Sequence, residues 1–327
     1  MTAANLVDPY LQNISTSWNN GGGCAAEIAK PINVPVVNAR IAKYNLGDSF
    51  RNEAAKRAPG TESALSNMKI SYDAIHTEQV SAASEVFDED IANAGLPQGS
   101  APPVNLKQDA IEESNKRVDR YIDVDLAALI KATDWNSIGA GGEDADGGWG
   151  DTSTSSTFLV DINTARALIH KNSGYVANRL AIDFAPFEAL RYSADILDML
   201  KYTSSASLTE EILARLLGLE KVVVCSGVYS SAIEKADGTD FTASNPFETN
   251  AGKGFGFVYY AAPTPTLKSA SALLRPRTPV LTTGLYRATF EHPEPKKHKW
   301  TYEVIEQFQH VVGATQLGYH FKDTFLT

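Results

Sequence analysis

Two glycine-rich runs, six histidines and two cysteines are the residues of this 327-residue chain whose types invite chemistry. The run "GAGGEDADGGWGD" (residues 139–151) offers Glu143, Asp144 and Asp146 to a cation, or successive backbone N–H groups to a phosphate. A calcium loop of the EF-hand kind needs acidic ligands at alternate positions, one central glycine and a closing bidentate Glu. The acids here miss that spacing and no Glu closes the run, so an ordinary flexible connector is expected. A phosphate loop of the G-x-x-x-x-G-K-[ST] kind does not occur. In "NAGKGFGFVYY" (250–260), Lys253 sits among Gly252, Gly254 and Gly256. A phosphate cradle must open a helix, so that its N–H groups and the helix dipole converge. Strand-like sequence follows instead, so this run reads as a turn entering a strand.

The histidines are no more suggestive. His292 and His298 lie in "HPEPKKHK", a charged and proline-broken segment that reads as a solvated loop, and His76, His170, His310 and His320 show no zinc spacing. No G-x-S-x-G elbow or Cys/His signature selects a nucleophile. Cys24 and Cys225 are far apart and match no metal or redox spacing, which fits two free thiols in a reducing cytoplasm. No catalytic residue, cofactor or metal is expected.

The bulk numbers point the same way. With 43% hydrophobic and 21% charged residues the chain can bury a core, and its length suggests about two domains. A formal charge of -10 disfavours a protein that coats nucleic acid by neutralising phosphates. "MTAANLVDPY" lacks the basic and apolar parts of a signal peptide, and no apolar run approaches the ~20 residues of a membrane span.

The elements that would position any site are legible as patterns. "INVPVVNARIAKY" (32–44) has β-branched residues in rough alternation and reads as a strand, as does "NMKISYDAIHTEQVSA" (67–82). Between them lies a polar stretch with Arg51, Lys56 and Arg57 against Asp48 and Glu53, closed by a Pro59-Gly60 turn. The unit is a long hairpin whose distal part has no core of its own. Asn105 followed by Gln108 starts a helix. Ile111, Val118, Ile122, Leu126 and Leu129 then carry it to Thr133, roughly 43 Å at 1.5 Å per residue. Further on, helices are expected over 161–173, 185–200 and 207–217, with glycine stops at Gly174 and Gly218. Strands are expected at "NRLAIDF", "KVVVCS", "FGFVYYAA", "TPVLTTGLYRATF", "WTYEVIEQF" and "LGYHFKDTF".

Taken in order, these pieces resemble the major capsid proteins of tailed bacteriophages, the HK97-like fold. The resemblance is carried by "GDSFRNEAAKRAPGTE" (47–62), by "ISYDAIHTEQVSAASEVFDEDIANA" (70–94), and most specifically by the sequence from Trp149 to Tyr202. "LTEEILARLLGLEKVVVCSGVYSSA" (208–232) and "GATQLGYHFKDT" (313–324) continue it. It implies an α+β fold with an N-terminal arm (1–30), an entry strand (31–37) and an extended loop (38–76). A peripheral domain (77–160, with a spine helix at 105–133) and its return strands (283–327) would flank an axial domain (161–282).

The function implied is a shell protein. Copies would assemble as hexamers and pentamers into an icosahedral head around double-stranded DNA, without sequence-specific binding and without a membrane. Scaffold, portal and cement proteins are further partners that the resemblance admits. The place implied is the virion, assembled in the host cytoplasm. The extended loop would reach across a neighbouring subunit, with Arg51, Lys56 and Arg57, beside Asp48 and Glu53, as the interface residues. The acids to meet them would be Glu85, Asp88, Glu89 and Asp90, or Asp119 and Asp123. Each exposed pair contributes only ~0–1 kcal/mol, but a closed shell repeats it many times. An encapsulin-type compartment on the same fold is the alternative, and an α+β enzyme using the glycine-rich loops is a third.

Overall fold

The computed structural model describes residues 23–54, 56–63, 65, 67, 69–94, 105–151, 156–201, 208–230, 232, 242–248, 253–280 and 284–325. The longest element is the helix Leu106–Ala132. Asn105 caps it, its side chain accepting from Gln108 N at 3.4 Å, and Gln108–Glu112 and Glu113–Arg117 contacts brace the outer face. Val118, Ile122, Leu126 and Ile130, four apart, put one apolar stripe against the core. The helix stops where Thr133 turns extended and its Oγ1 donates back to Leu129 O.

That stripe lies on a six-stranded sheet. Its central strand, Lys299–Phe308, pairs antiparallel along its full length with Glu78–Phe87. On its other side Arg287–Glu294 pairs with residues 299–306, and Leu273–Thr278 takes over at Gln307 and Phe308. Pro31–Asn33 runs parallel to residues 275–277, and Val311–Val312 pairs with Leu273 and Leu274.

A second, mixed sheet orders Glu143–Asp144, Gly318–Lys322, Gly256–Tyr259, Arg179–Asp183 and Lys221–Cys225. Its middle strands are buried on both faces, which is why they read as near-continuous apolar runs. Strand alternation divides their side chains between two cores. Leu180, Ile182 and Val258 pack with Trp149, Ile162, Ile169 and Leu213 beneath the helices Phe158–Ser173 and Glu210–Leu217. Ala181, Phe257 and Tyr259 face the other way, into one core with Leu126, Ile130, Trp135, Val304 and Phe308. The two sheets therefore share the long helix's core.

Several expectations need correction. The segment 32–44 is not one strand. It breaks at residues 34–37, so that Pro31–Asn33 joins the first sheet while Asn38–Tyr44 begins a separate hairpin. The helix expected over 185–200 is two, Phe184–Leu190 and Ala194–Lys201, separated by a turn at 191–193. Asp183 caps the first of them. The helix expected from Asp161 starts at Phe158, and Asp161 instead accepts from Thr157 Oγ1 and Trp149 Nε1. "TPVLTTGLYRATF" is divided between Leu273–Thr278 and Arg287–Glu294, with residues 281–283 outside the described residues. The run 139–151 is no loose connector. Glu143–Asp144 extends the second sheet, and Trp149 is buried edge-on to Phe158 and against Phe321. Residues 1–22 of the expected arm also lie outside the described residues. Gly318–Lys322 belongs to the second sheet and Leu273–Thr278 to the first.

Candidate assembly surface

The projecting hairpin is built from Asn38–Tyr44 and Ile70–His76, in register from Asn38 opposite His76 to Tyr44 opposite Ile70. Only its root is packed. Ile41 and Ile75 join Ile32, Val34 and Leu274 in a small core, and Thr77 Oγ1 meets Thr278 Oγ1 at 2.9 Å. His76 N donates to Gln309 Oε1 at 2.9 Å, a further tie to the body.

Farther out, Asn45 caps the short helix Leu46–Phe50, accepting from Gly47 N at 3.0 Å. Asp48 ties the two legs together by accepting from Lys69 N at 3.1 Å. The Phe50 ring approaches the body at Gly174, where a Cβ would stand 3.1 Å from it. An open groove of about 910 Å³ runs between finger and body, with Leu46, Phe50, Ile70, Tyr175 and Leu267 in its walls. Beyond this point, every described residue from Arg51 to Lys69 is exposed. Leu65 is 94% exposed, uncovered by any described residue.

The five residues expected on this finger divide into two groups. Arg51 is already engaged, 3.5 Å from Asp48 and 3.7 Å from Glu53. Lys56 and Arg57 are exposed, and among the described residues no acid lies within ion-pair distance of either. The turn that follows is as expected, with Gly60 at φ 86° and Thr61 Oγ1 donating to Ala58 O.

Most of the acids expected to receive a neighbour's cations are occupied within the subunit. Glu85 pairs with Lys299 diagonally across neighbouring strands, and Asp88 accepts from Trp300 Nε1 at 2.9 Å. Asp119 holds Arg287 at 2.6 Å. Asp123 is a clear correction. At 6% exposure it is no surface acid. It accepts from Ala25 N at 2.9 Å and so anchors the first described helix, Ala25–Ile28. Burial pushes its carboxyl up to about 6. Glu89 and Asp90 remain exposed, in the first turn of the helix Asp88–Ala94, with no ion pair among the described residues.

Sequence reasoning missed a buried charge network behind the sheet. Glu306, 1% exposed, lies 2.7 Å from Arg287 and 4.0 Å from Arg275, and Arg287 links it to Asp119 on the long helix. The positions are far apart in sequence, so no spacing could have signalled it. Nor was the His310–Asp125 contact legible, in which Nδ1 meets the carboxylate at 2.7 Å while burial lowers the imidazole. The glycine-rich run read as a turn entering a strand does lead into the strand Gly256–Tyr259, and Lys253 pairs with Asp323 at 3.2 Å. Among the described residues no cluster of three metal-ligating side chains occurs, and no helix is long and apolar enough to cross a membrane.

No family model matches the chain, and no curated protein does. Solved structures do. A phage-related protein from Bordetella bronchiseptica is similar over 98% of both chains at 17% identity, with a TM-score of 0.66. The capsid protein of cyanophage P-SCSP1u covers 98% of this chain and 91% of its own at 11% identity, TM-score 0.61. The shell of the SrpI encapsulin complex from Synechococcus elongatus covers 98% and 97% at 9% identity, TM-score 0.56. Near-complete coverage by phage capsid and encapsulin chains, with a spine helix on a long sheet and a projecting hairpin, gives the architecture its name: the chain has the HK97-like capsid fold.

Proposed function

We propose that this chain is a phage major capsid protein, which assembles with copies of itself into an icosahedral shell around double-stranded DNA. The observation that carries the reading is the finger. Folded polypeptide does not hold out a run with Leu65 uncovered and two cations without an ion pair among the described residues at no benefit, because ordering a chain costs about 1–2 kcal/mol per residue. The tip is satisfied on a neighbour. Lys56 and Arg57 meet acids of the adjacent copy there, with Glu89 and Asp90, exposed and without an ion pair among the described residues, to receive them. The groove between finger and body belongs to the same contact surface. The second sheet and its helices act as the capsomer's axial part, and the long helix with the first sheet as its peripheral part. A subunit charge of -10 suits a container whose inner wall must not grip phosphate. Scaffold, portal and cement proteins are the partners such a shell takes, and the virion is its place.

The test is electron microscopy and sedimentation of the purified full-length protein, followed by analysis of what the particles hold. Closed shells that package DNA in infected cells support the reading. Shells of the same fold loaded with an enzyme identify an encapsulin instead. A compact monomer that persists at high concentration overturns both.

A further inference from the structure

The two cysteines, far apart in sequence, meet in space. Cys24 immediately precedes the helix Ala25–Ile28, and Cys225 ends the strand Lys221–Cys225 of the second sheet. Both belong to the core shared with the long helix, at 5% and 0% exposure, and their side chains neighbour each other beside Asp123, which holds Ala25 N and faces Gly23 and Gly227. Both are present as thiols. The backbone around each is held in place. Ala25 N is bound to Asp123, and the Cys225 carbonyl accepts from Asn245 Nδ2 at 3.3 Å. Three further contacts moor the same N-terminal segment. Lys221 pairs with Glu27, Arg179 donates to Glu27 O, and Lys30 Nζ donates to Pro263 O.

The geometry points to a Cys24–Cys225 disulfide as an oxidative modification site, formed by exchange with a small disulfide such as oxidised glutathione, which staples the N-terminal segment to the second sheet. The chemistry balances. The Cys24 thiolate attacks one sulfur of oxidised glutathione, forming a mixed disulfide and releasing one glutathione thiolate. The Cys225 thiolate then attacks the Cys24 sulfur, forming the protein disulfide and releasing the second glutathione. Two protein thiols are oxidised, one glutathione disulfide is reduced, and the two protons pass to the two glutathione thiols.

The fold also times the reaction. Burial pushes both thiols up, so little thiolate exists while the helix is docked. Cys24 becomes reactive when the four-residue helix lifts, and redocking presents the mixed disulfide to Cys225. Such a local opening breaks fewer contacts than global unfolding does. The staple then closes a loop running through most of the chain, the case in which a cross-link restricts the unfolded state most.

The experiment uses the full-length protein, reduced and freed of reductant, incubated with oxidised glutathione. Expected are a mass lower by two hydrogens, a Cys24–Cys225 cross-linked peptide, and a melting temperature raised by about 5 °C or more. Mild sub-denaturing urea, by lifting the helix, should speed the reaction. Cys24→Ser and Cys225→Ser should each abolish the intrachain link and the shift in melting temperature. A stable glutathione adduct on either thiol, a cross-link between chains, or two thiols still free after incubation in mild urea would each overturn the inference. The readout is made on the subunit, so it stands or falls independently of shell assembly.

Discussion

Trimming the finger separates a subunit's own stability from its contacts with neighbours. Replacing residues 52–68 with a four-residue Gly/Ser turn keeps Asp48, Arg51 and Lys69, and with them the tie between the two legs. The span is feasible. The helix Leu46–Phe50 starts beside Lys69, whose carbonyl accepts from Asn45 N at 3.2 Å, and it rises only ~8 Å. Four residues reach ~13 Å. Every described side chain removed is exposed, so the loss is confined to the Arg51–Glu53 pair, ~0–1 kcal/mol at the surface. Against it, shortening the connection roughly fourfold lowers the loop-closure cost by ~1.2 kcal/mol. The subunit should therefore melt within about 3 °C of the parent, while sedimentation and microscopy should find almost no normal shells. A loss beyond ~3 kcal/mol would mean that the tip belongs to the subunit's own core, because no surface loop contributes that much. Parent-like shell yield would falsify the assignment of the tip to a neighbouring copy.

Three further outcomes are expected. Lys56→Glu together with Arg57→Glu should leave the melting temperature unchanged and reduce shell yield several-fold, more so at low salt, as particle counts across ionic strength would record. Asp183, buried where it caps Phe184–Leu190, has its carboxyl pushed up to about 7, by burial first and then by Glu248. The folded state thus favours its neutral form, so its contribution is complete below about pH 4 and is lost as pH rises through 7. Three units at ~1.4 kcal/mol each amount to ~4 kcal/mol. Asp183→Asn, which keeps the capping oxygen, should flatten the fall in urea midpoint between pH 4 and 8, and parallel profiles for the two proteins would contradict the account. Gly256→Ala places a Cβ 2.2 Å from the ring of Trp149, which Phe158 and Phe321 hold in place. Chemical denaturation should show at least the ~1–3 kcal/mol cost of overpacking.

What could be read from sequence is what neighbouring residues decide among themselves. The long helix followed from its four-residue stripe and its Asn105 cap, and it runs from Leu106 to Ala132 as that pattern requires. Gly174 and Gly218 stop their helices in left-handed backbone, φ 72° and 63°, where glycine is the residue without a Cβ penalty. The exposure of the finger was legible too, from an absence of residues worth burying. Its surface roles were harder. Arg51 found acids two and three residues away, whereas Lys56 and Arg57 have no ion-pair partner among the described residues.

Sequence alone determined the kinds of element, the bounds of the long helix, and the exposed polar tip of the finger. Tertiary structure decided which elements meet. It sent the last strand into the second sheet, divided residues 31–44 between a sheet and a finger, and broke the helix at 191–193. It gave Glu85, Asp119 and Asp123 partners within the subunit, and it set Cys24 against Cys225. The reason is range. Helix periodicity, caps and turns depend on a few adjacent residues, whereas strand pairing, the fate of a charge and the meeting of two thiols depend on burying apolar surface between segments far apart in the chain.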